Sequence, residues 1–112
     1  MSIKIDRLEH TFVEQISMIL RTEIKDERIN FVTVTAAHIT NDLSFAKIYV
    51  TVLNDEERDS ILKQLNIASN FIERELSKRI EIRKMPNITF VYYESIEYAN
   101  NIENIIEDIN NE

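Results

Sequence analysis

Five cationic side chains, Arg74, Lys78, Arg79, Arg83 and Lys84, fall within eleven residues of this 112-residue chain. Side chains of that type at that density can meet phosphate oxygens, and each phosphate they neutralise releases condensed counterions. At 100° per residue, Ile72, Leu76 and Ile80 form one apolar stripe of a helix, and Arg74 and Lys78 lie about 160–200° away from it, one turn apart. Arg79 lies nearer the stripe's edge. Arg83 would enter the stripe if the helix continued, so the helix is expected to end near Ile80 to Ile82, leaving Arg83 and Lys84 on a turn before Pro86. The expected product is a basic helix face beside a basic turn. The bland alternative is a solvated face with local ion pairs, Glu75 to Lys78 or Arg79 and Glu81 to Lys78 or Lys84.

The net charge of −7, taken over the whole chain, opposes a nucleic-acid partner, but its distribution removes the objection. Six of the 20 acids and none of the bases lie from Glu94 onward, which leaves residues 1–93 with a net charge of −1. A near-neutral body with a local basic stripe can bind phosphate. Lys47 and Arg28 are secondary candidates, although Lys47 reads equally as a lysine protecting a sheet edge. Arg7, Arg21 and Lys25 share the outer face of the first helix with Glu14 and rank lower.

Other chemistries lack their residues. There is no cysteine and no glycine, which excludes thiolate chemistry, disulfides and every glycine-dependent phosphate cradle. No Ser-His-acid spacing is recognisable, and the many carboxylates read as solvation. His10 and His38 are remote from each other and have no ligand partners nearby. Tyr49, Phe90, Tyr92 and Tyr93 invite base stacking, yet strand aromatics mostly pack against neighbours. No catalysis, metal or cofactor is expected. No apolar run approaches a membrane span and the start of the chain has no signal-peptide core, so the expected setting is the cytoplasm.

The elements that must carry the basic cluster are legible in the spacing. Ile5, Leu8, Phe12, Ile16, Ile19 and Leu20 predict a helix from about Ser2 or Asp6 to Lys25. Phe31 to Ile39 and Phe45 to Leu53 read as strands. In the first, Val32, Val34 and Ala36 are expected on one face and Phe31, Thr33, Thr35 and Ala37 on the other. Asn41-Asp42 between them predicts an antiparallel hairpin. Asn54 or Asp55 can cap a second helix bearing Ile61, Leu62 and Leu65. Ala68-Ser69-Asn70 interrupts it before the basic helix, and Ile88 to Tyr93 is a third strand. A last amphipathic segment carries Ile102, Ile105, Ile106 and Ile109, which fit either the chain's own domain, near the first helix, or a partner. The expectation is one α+β domain of order helix, strand, strand, helix, helix, strand, plus a C-terminal helix. Residues 1–94 form its body and 95–112 its acidic amphipathic tail.

Several segments resemble the ribosome-binding factor A family. Asp26-Glu27-Arg28 stands where that family has Asp-Pro-Arg. Val32-Thr33-Val34-Thr35 resembles its first strand. Asp42-Leu43-Ser44-Phe45-Ala46-Lys47-Ile48-Tyr49-Val50 is close to its Asp-Leu-x-x-Ala-Lys-Val-Tyr-Val segment. Phe71-Ile72, Leu76, Lys78-Arg79-Ile80-Glu81-Ile82-Arg83, Pro86, Phe90 and Glu94-Ser95-Ile96 continue the match. The resemblance implies a type II KH-like fold with an interrupted helix pair in place of a Gly-x-x-Gly loop. It also implies a monomeric, non-catalytic factor that binds the immature small ribosomal subunit and its rRNA late in maturation and matters most in the cold. Asn70 takes a position that is glycine in the family. Asn tolerates a left-handed backbone, so a left-handed kink is expected there. Glu73 replaces a frequent arginine and removes one phosphate contact, and Ala99 replaces a glycine. The alternatives are a generic KH-like binder of single-stranded RNA and a protein-interaction module that uses the isoleucine stripe. A metal-dependent enzyme is the remotest reading.

Overall fold

The structure, a computed structural model, describes residues 3–93. The expected C-terminal helix and its isoleucine stripe lie outside the described residues. The chain runs α1 (Ile3–Thr22), β1 (Thr33–Ile39), β2 (Phe45–Thr51), α2 (Arg58–Ile67), α3 (Ser69–Arg79) and β3 (Asn87–Tyr92). One-turn 3-10 helices at Ile29–Phe31 and Asp55–Glu57 lead into β1 and α2. The fold is α+β, as the spacing of apolar residues predicts.

The sheet has the order β1-β2-β3, with β1 and β2 antiparallel and β2 and β3 parallel. A parallel neighbour requires a crossover, and the α2–α3 pair supplies it. The helices cover one face of the sheet, where Phe12, Ile16, Ile19 and Leu20 of α1 meet Leu65, Ile72 and Leu76 of the pair and Ile39, Ile48, Val50 and Phe90 of the strands. Each such side chain contributes about 1.5–3 kcal/mol through burial. This shared core holds α3 at a fixed angle to the strands.

The strict alternation expected in β1 fails at one residue. Val34 pairs with Val50, but Ala36 pairs with Tyr49, so Thr35 is an extra residue in a β-bulge. Its hydroxyl donates to the Tyr49 carbonyl at 3.0 Å. The bulge reverses the phase of the strand: Val34 is buried before it, and Ala37 and Ile39 after it, while Ala36 moves to the outer face.

The β1–β2 turn is organised by Thr40. Its hydroxyl oxygen accepts from the Ser44 and Phe45 N–H groups at 3.2 and 3.1 Å and donates to Asp42 at 2.9 Å. Leu43 is the one described residue with positive φ, at 60°. A non-glycine residue there costs roughly 1–2 kcal/mol; the Thr40 and Asp42 bonds and the packing of the half-buried Leu43 against the core offset it.

Helix side chains bond part of each sheet edge. On β1, the Ile39 N–H donates to Glu9 of α1 at 2.8 Å. On β3, alternate N–H groups face β2, as in the Asn87 bond to the Ser44 carbonyl, while Ile88 and Phe90 face outward. The Ile88 N–H donates to Glu73 at 3.0 Å. Asn66 imitates a missing strand: its amide oxygen accepts from the Phe90 N–H at 2.8 Å and its amide nitrogen donates to the Phe90 carbonyl at 3.2 Å. A bare edge would be a template for another strand, and these three side chains occupy four of the backbone groups such a strand would use. Lys47 takes no part in edge protection, because β2 is the central strand.

Candidate nucleic-acid interface

The basic helix ends one residue before the expected range. Ile80 is already extended, with φ −124° and ψ 132°, and its N–H closes the helix onto the Leu76 carbonyl. The chain then turns through Arg83 and Lys84 to Pro86, which is fully buried. Lys78 and Arg79 occupy the last turn of α3, where cations complement the helix dipole.

The break between α2 and α3 differs from the expected left-handed kink. It lies at Ala68, with φ −83° and ψ 1°. Asn70 is two residues inside α3 with right-handed helical geometry. The Ala68 N–H still bonds the Gln64 carbonyl, and the Ile72 N–H bonds the Ala68 carbonyl, both at 3.0 Å. The chain therefore changes direction while keeping its ladder almost continuous, and no residue needs glycine's conformational freedom.

Asn70, Arg74 and Ser77 follow one another at helical spacing on the outer face of α3. With Glu73 and Met85 they line an open hollow of about 350 Å³. Arg74 and Arg83 are exposed and make no ion pair among the described residues. Lys78 is bound to Glu75 at 2.9 Å, the local pair expected from the spacing. An exposed pair of this kind is worth a few tenths of a kcal/mol, so a phosphate can displace the carboxylate at little cost. Lys84 reaches across to the β1–β2 turn, donating to the Ser44 hydroxyl at 3.3 Å. The Asp42 carboxyl in that turn is held below the usual carboxylate range, first by the Ser44 N–H and then by the Thr40 hydroxyl, with a smaller contribution from the Lys84 charge.

The remaining candidates are separated from this group. The Arg79 guanidinium pairs at 3.3 Å with Glu23, just past the end of α1. Arg28 is bound to Asp26 and donates to the Ser60 hydroxyl at 3.1 Å, so it ties the α1–β1 connection to the start of α2. Lys47 stands exposed on the outer face of the sheet, in register with His38 and Thr89. Asn70, Arg74 and Lys78 thus share one helix face, and Arg83 and Lys84 follow on the turn after the helix, where Lys84 reaches toward the β1–β2 turn.

Spacing alone did not indicate Glu73, Glu9 and Asn66 as closers of sheet edges. Glu73 lines the hollow beside Arg74, yet its carboxylate holds the edge of β3. The aromatic residues follow the packing reading. Phe90 is 2% exposed inside the core. Tyr49 is 6% exposed and meets Tyr93 edge to face at 6.3 Å. Tyr92 lies under the Arg58 guanidinium and donates to Asp55. His38 lies 3.9 Å from Glu9, and among the described residues no three potential ligands gather around a metal-sized space. No described helix is long and apolar enough to cross a membrane.

Comparison with known proteins bears on the whole chain. Ribosome-binding factor A of Staphylococcus epidermidis is 43% identical over 109 residues, covering 96% of this chain and 94% of that protein. The crystal structure of ribosome-binding factor A from Thermus thermophilus superposes with a TM-score of 0.72 at 23% identity, over 79% of this chain and 94% of that one. A Thermus thermophilus ribosome binding factor A homology model, fitted into the cryo-EM map of a 30S complex, matches with a TM-score of 0.66 at 24% identity, over 77% and 91% of the two chains. The family model described as ribosome-binding factor A matches residues 4–106, and with the α-β-β-α-α-β order already established, the chain belongs to the ribosome-binding factor A family.

Proposed function

We propose that this protein binds the immature small ribosomal subunit and its rRNA, and assists late rRNA processing and subunit assembly without making or breaking a bond. It acts as a cytoplasmic monomer, with no cofactor and no small-molecule substrate, and its need is greatest in the cold. Family membership over nearly the full chain supports this reading, as does the relative fitted into a 30S map. The single observation that carries the RNA contact is the outward face of α3, where Arg74, without an ion pair among the described residues, stands one helical turn from Lys78 and ahead of the turn that carries Arg83 and Lys84.

The mechanism is charge and shape. The core fixes α3, so the cations are presented at set spacings and little order has to be acquired on docking. Each phosphate met contributes about −0.7 to −0.9 to the slope of log affinity against log salt. Occupying the site keeps an immature rRNA arrangement in place until release. Asn70 sits at the start of the same face, where its side-chain amide can donate to a phosphate or sugar oxygen.

Arg74→Glu combined with Lys78→Glu tests the site. Co-sedimentation with small subunits in a sucrose gradient should weaken by about tenfold or more at low salt, a change of about 1.4 kcal/mol or more, with thermal stability nearly unchanged. Undiminished co-sedimentation would place the contact elsewhere. Equal affinity for unstructured RNA oligomers and for subunits would favour a generic single-strand binder.

A further inference from the structure

A second hollow, of about 300 Å³, lies where the α1–β1 and β2–α2 connections meet the start of α2, and is lined by Glu27, Arg28, Phe31, Leu53, Asn54, Glu57 and Ile61. Its apolar character has a local cause. The 3-10 turn Ile29–Phe31 sends Ile29 into the core and Phe31 outward, leaving Phe31 61% exposed. Just past the end of β2, Val52 packs against the core while Leu53 points out and is 78% exposed. Ile61, buried, forms the floor. Two large apolar side chains exposed side by side on a small domain mark an interaction surface more often than a single exposed one does.

The charge around the hollow selects the occupant. The one cation in the lining, Arg28, is already bound to Asp26 and Ser60. Glu27 and Glu57 are exposed and make no ion pair among the described residues, and Glu56 adds a third exposed acid next to Glu57. This field repels a phosphate backbone. It equally disfavours residues 94–112, which hold six acids and no base. A second copy docked face to face would set like charges against each other.

We propose that this hollow docks a lysine- or arginine-rich polypeptide segment, which inserts one bulky apolar side chain between Phe31 and Leu53 while its cations meet Glu27 and Glu57. The site is independent of the RNA-facing cations on α3 and binds a partner of opposite chemistry. Such a partner is a protein, so one domain holds RNA with one surface and basic protein with another.

The test uses the full-length protein labelled for amide and methyl NMR, with a short synthetic peptide of lysines and serines carrying one central tryptophan. Saturable shifts should be confined to Phe31, Leu53, Ile61 and their neighbours. They should vanish when glutamate replaces lysine in the peptide, and weaken sharply when alanine replaces tryptophan. Leu53→Asp should reduce affinity about tenfold, or about 1.4 kcal/mol; because Leu53 is so exposed, the spectrum should otherwise stay folded. Glu27→Gln with Glu57→Gln gives a second route to the same loss without touching the apolar surface, and Arg74→Glu should leave peptide binding unchanged. The proposal is overturned by non-saturating shifts scattered over other acids, by unchanged affinity in both hollow variants, or by an RNA oligonucleotide or self-association moving the same resonances.

Discussion

The start of α2 and the outer face of α3 belong to one helix pair, yet they are chemical opposites. At the start of α2, exposed Phe31 and Leu53 sit beside Glu27 and Glu57, and the arginine lining the hollow, Arg28, is paired with Asp26, while Arg58 is engaged by Asp59 and lies over Tyr92. Along α3 and its trailing turn, Arg74 and Arg83 have no ion pair among the described residues, Lys78 has one weak partner, and the apolar residues point inward. Neither the net charge of −7 nor the identity of a residue as arginine separates the two regions. What separates them is which cations are already satisfied inside the fold: Arg28 and Arg74 are chemically the same side chain in opposite states of engagement.

The sharpest way to break the comparison is to remove what both regions share. Ile72 and Leu65 are fully buried, each on one member of the helix pair. Ile72→Ala or Leu65→Ala should cost about 2–5 kcal/mol, lowering the midpoint of chemical denaturation and weakening subunit binding and peptide binding together. Loss of one with full retention of the other would mean that the two surfaces do not depend on a common core. The next effect in size is at the sheet edge. Asn66→Ala strands the Phe90 N–H and carbonyl, and should destabilise by about 1–2 kcal/mol, read by thermal unfolding and by faster hydrogen exchange at Phe90. Asn66→Asp keeps the acceptor and loses the donor, so its stability should fall between those of the wild type and Asn66→Ala.

These residues also mark where sequence reading stops. The three helices, the hairpin and the turn that carries Arg83 and Lys84 follow from local periodicity and from Pro86. The face occupied by Arg74 and Lys78 was legible for the same reason, since a helix wheel needs only neighbours. The bulge at Thr35 was not, because a single extra residue leaves β1 rich in the same strand formers on either side. Asn66, Glu73 and Glu9 were not legible either: their partners lie 24, 15 and 30 residues away, and no spacing rule links an amide on a helix to a strand edge not yet placed. The kink was read by substitution, with Asn70 standing for a glycine, whereas the backbone breaks at Ala68 by a right-handed adjustment. The hollow at Phe31 and Leu53 joins two connections more than twenty residues apart in the chain, and emerges only after β1 and β2 pair.

A smaller change sharpens the contrast between engaged and free cations. Glu75→Gln releases Lys78 from its 2.9 Å pair without altering the length of the side chain. Because an exposed i,i+3 pair is worth about 0.2–0.5 kcal/mol, stability should drop by no more than that, while affinity for the small subunit should rise by up to about twofold at low salt and converge with the wild type at high salt. Unchanged affinity would show that Lys78 does not approach phosphate, and would leave Arg74 and the turn to carry the contact.

The smallest effect compares one carboxylate from each region. Asp26, beside the acidic hollow, is held below its usual value of 3.8 chiefly by the Arg28 side chain and then by the Arg28 N–H. Asp42, beside Lys84, is held below 3.8 chiefly by the Ser44 N–H and then by the Thr40 hydroxyl. In both cases the folded chain gives up its proton more readily than the unfolded chain. The stabilisation is therefore fully present above the unfolded value and is lost as pH falls through the lowered, folded value. Denaturation midpoints followed from about pH 5 to about pH 2.5 should decline less steeply in Asp26→Asn and in Asp42→Asn than in the wild type. The two variants should part company in salt. The leading contribution at Asp26 comes from a cation, so added salt should erase more of its share; at Asp42 it comes from a backbone N–H fixed by the turn, which salt screens little. Equal salt sensitivity at both positions would mean that the Arg28 guanidinium does not hold Asp26 in solution, and the hollow would then contain a cation free to repel a basic segment.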